Sequence, residues 1–217
     1  LETAASATFI GGAEVEAFER EFAACVGARQ ALGVSSGTSA LHLALIAAGI
    51  GPGDEVILPS HTFTATAEVV RRCGARARFA EIVEESFTLD PARLEDALTH
   101  RTRAIIPVHL YGHPVDLDPV LEFARRHGLR VIEDAAQAHG ARYRGRVCGG
   151  IADLAAFSCY PGKNLGAYGD AGAVTAADPE EADRMRRLSN HGRLDKHRHA
   201  EEGLTTASTP CRRRSCA

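Results

Sequence analysis

Residues Ala31–Ala48 read ALGVSSGTSALHLALIAA, and this stretch decides the fold class of the chain. Its first four residues, Ala31–Val34, form a short apolar run of the kind found in buried strands. Ser36–Ser39 supply a polar turn that contains a glycine, and Ala40–Ala48 is apolar almost all round, which predicts a buried helix. Strand, turn and helix in this order make up half of a βαβ unit, so the stretch predicts an α/β fold.

The same alternation continues on both sides of this stretch. Upstream, Glu14–Val26 carries apolar residues at spacings of three and four, which predicts a helix with one apolar face. Downstream we expect strands at Glu55–Leu58, Ala77–Ile82, Ala104–Val108, Arg130–Ile132, Leu154–Phe157 and Ala173–Thr175, and helices at Thr64–Cys73, Pro91–Leu98, Leu117–His127 and Pro179–Leu188. The sequence therefore predicts a mixed, mostly parallel sheet sandwiched by helices.

The composition excludes several classes of protein. The 217 residues are 45% hydrophobic, which suffices for one sizeable core, and the formal net charge of -3 gives no basic surface for nucleic acid. No apolar run approaches the roughly 20 residues needed to cross a bilayer, so we expect no membrane partner. The first nine residues lack the pattern of a signal peptide, which favours a cytoplasmic location.

The cysteines and histidines give no pattern of a disulfide framework or a metal site. The six cysteines include no C-x-x-C pair, and we expect them to be isolated reduced thiols. The histidines His191, His197 and His199 are close in sequence, but the arginine, lysine and aspartate residues among them indicate a solvated polar stretch. We therefore expect no metal ion.

Polar clusters follow four of the expected strands. They are Ser35–Ser39, Ser60–Thr62, Asp134–Gln137 and Ser158–Asn164. In parallel α/β sheets, ligands bind beyond the carboxyl ends of the strands, so we expect these clusters to meet at one rim and form a site.

Three of these clusters carry distinct chemistry, although each alone has a simpler explanation. Ser36–Ser39 at a helix start could bind an anion or merely cap the helix. Asp134 could face a cationic ring nitrogen or cap a helix. Lys163, in a loop stiffened by Pro161, could bond covalently to a carbonyl or lie on the surface. In this order on an α/β sheet, the three supply a phosphate site, a pyridinium partner and an amine anchor, which pyridoxal 5'-phosphate requires of its protein.

The chain resembles the DegT/DnrJ family of sugar aminotransferases, which has the aspartate-aminotransferase fold. The matching stretches are VSSGTSALHLAL, GDEVILPSHTFTATAEVV, IIPVHLYGHPVDL, VIEDAAQAHGARYRG, AAFSCYPGKNLGAYGDAGAV and SNHGR, which together span about Phe9 to Gly203. The resemblance implies that Lys163 is the catalytic lysine and cofactor anchor. It also implies cofactor contacts by Thr38, Ser39, Phe63, Asp134, Gln137 and Ser158.

Within this resemblance, Asp134 matches the partner of the ring nitrogen and Gln137 the residue beside the ring oxygen. Thr38, Ser39 and Ser158 match phosphate contacts, and Phe63 matches an aromatic on the ring face. His61 stands where family members vary widely.

The resemblance also implies a function. We expect transfer of an amino group from glutamate or glutamine to a keto sugar, and a homodimer in the full-length form. The lysine-loop segment KNLGAYGDAG is closer to members that aminate the 3-keto position, so the acceptor is expected to be a nucleotide-linked 3-keto-6-deoxyhexose. A ketocyclitol is a further possible acceptor. One alternative is a sugar dehydratase of the same family, but those members carry histidine where this chain has Lys163. Another alternative is an inactive remnant or a non-catalytic binding or regulatory protein.

Residues 205–217, TTASTPCRRRSCA, have neither helical nor strand periodicity. We expect residues 1–204 to form an incomplete cofactor-binding large domain that lacks the small C-terminal domain of the family, and residues 205–217 to be a frameshifted tail. Family members continue here with a pattern resembling G-x-N-x-R-L-D-x-L-Q-A-A, and one nucleotide restored in a GC-rich coding sequence yields LNDRLDALQAAVLR. We therefore expect this polypeptide to be prone to aggregation and inactive.

Overall fold

The computed structural model describes residues 11–195 and 197–207. The helices are α1 Ala13–Val26, α2 Gly37–Ala47, α3 Thr64–Arg72, α4 Leu94–Ala97, α5 Leu117–His127 and α6 Pro179–Leu188, with 3-10 turns at Pro91–Arg93 and Leu110–Gly112. The strands are β1 Gln30–Val34, β2 Glu55–Pro59, β3 Arg76–Ala80, β4 Thr102–Ile105, β5 Arg130–Asp134, β6 Arg142–Tyr143, β7 Arg146–Val147, β8 Leu154–Ser158 and β9 Gly172–Ala176.

Seven of the strands form one sheet in the order β1-β9-β8-β5-β4-β2-β3. From β3 to β8 every neighbouring pair is parallel, whereas β9 runs antiparallel to both β8 and β1. The sheet is therefore mixed and mostly parallel, as the alternation of strands and helices predicted. The direction of β9 was not predicted, because a buried strand has the same apolar pattern in a parallel and an antiparallel sheet.

Helices cover both faces of the sheet. Successive residues of a strand point to opposite faces, so Val56 and Leu58 join one core cluster with α2, and Ile57 joins a second cluster with α5. A third cluster packs α1 against Phe157 of β8. Burial of this apolar surface on both faces is the dominant favourable contribution to folding.

The structure differs from the expected elements in two places. The helix expected at Pro91–Leu98 is divided into a 3-10 turn and the four-residue α4, because Arg93 leaves helical geometry with φ -101° and ψ 3°. Leu98, with ψ 138°, is extended and ends α4. The short hairpin of β6 and β7 was not predicted, since two-residue strands are too short to show a period.

Of the expected frameshifted tail, residues 205–217, the structure describes only residues 205–207. Here the backbone N–H of Ser35 donates to the carbonyl of Thr206 at 2.8 Å, and Ala207 forms an antiparallel bridge with Val34. Residues 208–217 lie outside the described residues, and so does most of the sequence on which the frameshift hypothesis rests.

The described cysteines Cys25, Cys73 and Cys148 are free thiols, and burial raises the pKa of Cys148 to about 12. Cys211 and Cys216 lie outside the described residues. Within the described part of the chain, every helix is too short or too polar to cross a membrane.

Candidate active site

A cavity of about 430 Å³ lies where the ends of β1, β5 and β8 meet. Its wall includes Gly37 after β1, Ala136 after β5 and Gly162 after β8. Phe63 and Ala65, which follow β2, also line it. Three of the four polar clusters expected at strand ends therefore converge at one rim. The fourth, Ser60–Thr62, is not among the lining residues, although Phe63 directly after it is.

The first turn of α2 forms one wall of the cavity. Ser36 caps this helix, because its Oγ accepts a hydrogen bond from the backbone N–H of Ser39 at 3.1 Å. A Cβ on Gly37 would lie 2.6 Å from the Cβ of Ser158, so only glycine lets the helix start approach the end of β8 this closely. The free N–H groups and the dipole of this helix start favour an anion beside Thr38 and Ser158.

Asp134, the last residue of β5, presents a buried carboxylate to the same cavity. Its Oδ2 accepts a hydrogen bond from Thr66 Oγ1 at 2.9 Å, and its Oδ1 accepts one from the backbone N–H of Ala136 at 3.2 Å. Burial raises the pKa of Asp134, and these hydrogen bonds only partly oppose that rise. A cation in the cavity would therefore stabilise the ionised carboxylate.

Gln137 has one end of its amide fixed by the neighbouring loop. The backbone N–H of Tyr111, a residue with φ 56°, donates to Gln137 Oε1 at 2.6 Å. Because the partner is an N–H donor, this end of the amide must be the oxygen, and the Nε2 end remains as a donor. Gln137 lines the cavity, so it can offer a hydrogen bond to an oxygen atom of a ligand there.

Lys163 lies in a loop whose backbone is held by hydrogen bonds between its own residues. The backbone N–H of Lys163 donates to the carbonyl of Tyr160 at 2.8 Å, and that of Ala167 donates to Cys159 at 2.8 Å. A Cβ on Gly166 would lie 2.5 Å from the carbonyl oxygen of Pro161, so the loop requires glycine at this position. The loop holds Lys163 in the cavity wall.

Six of the seven site residues expected from the sequence line the cavity: Thr38, Phe63, Asp134, Gln137, Ser158 and Lys163. The seventh, Ser39, is not among the lining residues. Its hydroxyl lies 2.9 Å from Ser36 Oγ and 3.0 Å from Ser35 Oγ, because it takes part in the cap of α2. A direct ligand contact by Ser39 stays a prediction, as do the individual roles of the other six.

The family model of the DegT/DnrJ/EryC1/StrS aminotransferases matches residues 1–208. The chain belongs to this family.

Among curated members of the family, the dTDP-3-amino-3,4,6-trideoxy-alpha-D-glucose transaminase of Streptomyces venezuelae is 55% identical over 201 residues, or 93% of this chain and 53% of the relative. The solved structure of S. venezuelae DesV in complex with a ketimine intermediate superposes with a TM-score of 0.96 at 51% identity, covering 98% of this chain and 57% of that one. The structure of NtdA from Bacillus subtilis with bound cofactor PMP gives a TM-score of 0.92 at 33% identity, covering 98% and 48%. The chain spans about half the length of the curated relatives it matches.

The cavity of this family member fits pyridoxal 5'-phosphate. Thr38 and Ser158 line the cavity beside the start of α2, where a helix N-terminus favours an anion such as the phosphate, and the close approach of Gly37 to Ser158 brings this helix start to the end of β8. Asp134 offers a buried carboxylate to a protonated ring nitrogen, and Gln137 offers a donor to a ring oxygen. Lys163 supplies the amine, so each polar part of the cofactor has a matching group.

A second buried carboxylate, Glu133, was missed by sequence reasoning. The structure shows that the protein satisfies both of its oxygens with hydrogen bonds. Its oxygens accept hydrogen bonds from the backbone N–H groups of Gly149, Ile151 and Ala152 at 2.7–2.9 Å, and from His109 Nε2 at 2.9 Å. Burial alone would raise the pKa of Glu133, but these hydrogen bonds more than offset it and lower the pKa.

His109 is held in one tautomer by its two neighbours. Its Nδ1 accepts from the backbone N–H of Val115 at 3.1 Å, so Nε2 carries the proton that goes to Glu133. Cys148 lies close to both side chains. Because both ring nitrogens and the carboxylate are already hydrogen bonded, we interpret this cluster as structural.

Thr66 was also missed by sequence reasoning. It lies 68 positions from its partner Asp134, and a contact at that separation leaves no local pattern. Thr62, which bonds to Thr66, lies in the loop before α3, where no helical period predicts a contact.

Proposed function

We propose that this chain is the cofactor-binding large domain of a pyridoxal-phosphate-dependent aminotransferase. The observation that carries the proposal is that one cavity brings together the N-terminus of α2, the buried carboxylate of Asp134 and the side chain of Lys163. Each of these groups has a structural explanation when it stands alone. Their convergence in a member of an aminotransferase family favours the catalytic explanation.

The proposed chemistry assigns one role to each group of the chain. When bound, pyridoxal 5'-phosphate supplies an electron sink for the negative charge that forms as the amino donor loses its α-proton. Lys163 would anchor the cofactor through its amine, and it would act as the base that takes this proton and the acid that returns it. Asp134 stabilises a proton on the ring nitrogen, because an ionised carboxylate favours a neighbouring cation.

The remaining residues bind and orient. The N-terminus of α2, with Thr38 and Ser158, would hold the phosphate, and Gln137 Nε2 would donate to the ring oxygen. Phe63, whose side chain is 65% exposed at the cavity mouth, packs on the ring face when the cofactor is bound. Rigid placement of these groups lowers the entropy cost of reaching the reactive geometry.

For the amino acceptor we propose a nucleotide-linked 3-keto-6-deoxyhexose, with glutamate or glutamine as donor. Support comes from the S. venezuelae relative, whose name describes a dTDP-linked 3-amino sugar. The cavity mouth also carries the exposed aromatic side chains of Phe63 and Tyr160, which can pack on the apolar face of a sugar or on a base.

We further propose that the full-length protein acts as a homodimer in the cytoplasm. The resemblance to the sugar aminotransferases supports a dimer that shares its active sites. The absence of a helix able to cross a membrane in the described part of the chain is compatible with this location.

An amine-transfer assay tests the proposal. A full-length form that includes the small domain is incubated with glutamate or glutamine and a panel of nucleotide-linked 3-keto and 4-keto deoxysugars, and the aminated sugar is measured by mass spectrometry. We expect product from a 3-keto sugar and none from the matched Lys163→Ala variant. Transfer that persists in Lys163→Ala would contradict the proposal, and so would loss of a sugar hydroxyl without amine transfer, which is the dehydratase reaction.

A further inference from the structure

Two threonine hydroxyls at the start of α3 form a chain that ends on Asp134. Thr66 is fully buried, and its Oγ1 lies 2.9 Å from Asp134 Oδ2. Thr62, which is half-buried, places its Oγ1 at 3.0 Å from Thr66 Oγ1. The chain therefore runs from the loop before α3 to the carboxylate that faces the cavity.

The direction of these hydrogen bonds follows from the number of protons. An ionised carboxylate only accepts, so the single proton of the Thr66 hydroxyl goes to Asp134. Thr66 then has no proton left for Thr62, so Thr62 must donate to Thr66. Each donor polarises the next one, and the chain stabilises negative charge on Asp134 more than a single hydroxyl would.

We propose that Thr66 and Thr62 are positioning residues that hold the Asp134 carboxylate in one orientation and in its ionised state. This inference rests on the proposed function, in which Asp134 pairs with a protonated ring nitrogen. A valine has nearly the shape of threonine and would fill the same space in α3. The buried hydroxyl of Thr66 therefore serves the carboxylate rather than the packing of the helix.

The charged and titratable groups near Asp134 define what else could change its ionisation. Those that act on it most are His109, next to the end of β5, and Lys163 in the loop after β8. The hydrogen bond of the Ala136 N–H to Asp134 Oδ1 comes from the backbone and is the same in every variant considered below. A change at Thr66 therefore isolates the contribution of its hydroxyl.

The test uses the 217-residue chain without cofactor, labelled with ¹³C in its aspartate carboxyls. The Asp134 signal is assigned by its loss in Asp134→Asn, and its titration midpoint is compared among the parent, Thr66→Val, Thr66→Ser and Thr62→Val. We expect Thr66→Val to raise the midpoint by about one pH unit, since hydrogen bonds to charged groups are among the stronger ones. Thr66→Ser keeps the hydroxyl and should restore the parent midpoint.

Thr62→Val provides a second test that does not depend on the folding of Thr66→Val, because Thr62 is only half-buried. It should raise the midpoint by a smaller amount than Thr66→Val. Equal midpoints in all variants, or equal shifts in Thr66→Val and Thr66→Ser, would overturn the inference.

A cofactor titration separates this inference from the proposed function. Pyridoxal 5'-phosphate is added to each variant, and its dissociation constant is measured by absorbance or fluorescence. We expect binding about tenfold weaker in Thr66→Val and nearly unchanged in Thr66→Ser. A parent chain that fails to bind the cofactor while the Asp134 midpoints still shift would overturn the proposed function and leave the threonine chain supported.

Discussion

Asp134 and Glu133 are neighbours on β5 with the same functional group, yet they have opposite surroundings. Glu133 is fully buried on one face of the sheet and accepts four hydrogen bonds, three from backbone N–H groups and one from His109. Asp134 is buried on the other face, beside the cavity, and accepts hydrogen bonds from Thr66 and the Ala136 N–H. The pKa of Glu133 is lowered, whereas burial raises that of Asp134.

The difference separates a structural carboxylate from a functional one. Glu133 has its charge fully compensated by the protein, so it stabilises the fold and has no capacity left for a ligand. Ionisation of Asp134 carries an energetic cost from burial, which a bound cation would remove. A carboxylate left under-compensated at a cavity wall indicates a binding site, and this reasoning does not depend on the family.

Replacing Asp134 by asparagine should produce the largest loss of activity. We expect Asp134→Asn to reduce amine transfer by roughly 10²–10³-fold, because the neutral amide no longer stabilises the protonated ring. Its melting temperature should stay near that of the parent. The measurement is kcat for amine transfer by the full-length form, together with a thermal melt. An activity loss no greater than that of Glu133→Gln would break the comparison.

Replacing Glu133 by glutamine should produce the largest loss of stability. The amide nitrogen of glutamine would face N–H donors that now bond to a carboxylate oxygen, so we expect a loss of about 3 kcal/mol. For a chain of this size, that lowers the melting temperature by about 6–12 °C. Calorimetry of Glu133→Gln beside Asp134→Asn checks the prediction, which fails if both variants melt together.

The pH dependence of stability should have opposite signs at the two positions. The pKa of Glu133 is lowered on folding, so its contribution is complete above its unfolded value of about 4.3 and is lost as the pH falls through the folded value. The pKa of Asp134 is raised, so its cost is complete above the folded value and disappears below its unfolded value of about 3.9.

Thermal melts from pH 8 to pH 3.5 measure this difference. The deficit of Glu133→Gln relative to the parent should shrink as the pH falls. Asp134→Asn should melt slightly above the parent at pH 8, and this advantage should vanish in acid. Parallel curves for the two variants would show that the two carboxylates do not differ as described.

A smaller effect is expected from replacing Gly37, the first residue of α2, which packs against Ser158. Gly37→Ala would place a Cβ 2.6 Å from that of Ser158, which should cost about 1–3 kcal/mol and weaken binding of the cofactor phosphate. Gly51→Ala is the matched control, since its Cβ would meet nothing within 4 Å. Melting temperatures and cofactor dissociation constants of both variants test this, and equal behaviour would mean that the helix start can shift freely.

The sequence predicted the alternation of strands and helices and the rim where their polar ends meet, because both follow from hydrophobic period and chain direction. It could not predict that Glu133 is fully bonded, since its partners come from His109 and from the backbone of residues 149–152. The antiparallel β9 and the contact of Thr66 with Asp134 likewise depend on tertiary packing.

The most direct test of the central claim is to trap the cofactor on the protein. The chain is mixed with pyridoxal 5'-phosphate, reduced with borohydride and digested, and the labelled peptide is identified by mass spectrometry. The account predicts a single label, on Lys163. At the same cofactor concentration, Asp134→Asn should be labelled less than the parent. Glu133→Gln, kept below its melting temperature, should be labelled like the parent. A label spread over other lysines, or an unlabelled Lys163, would contradict it.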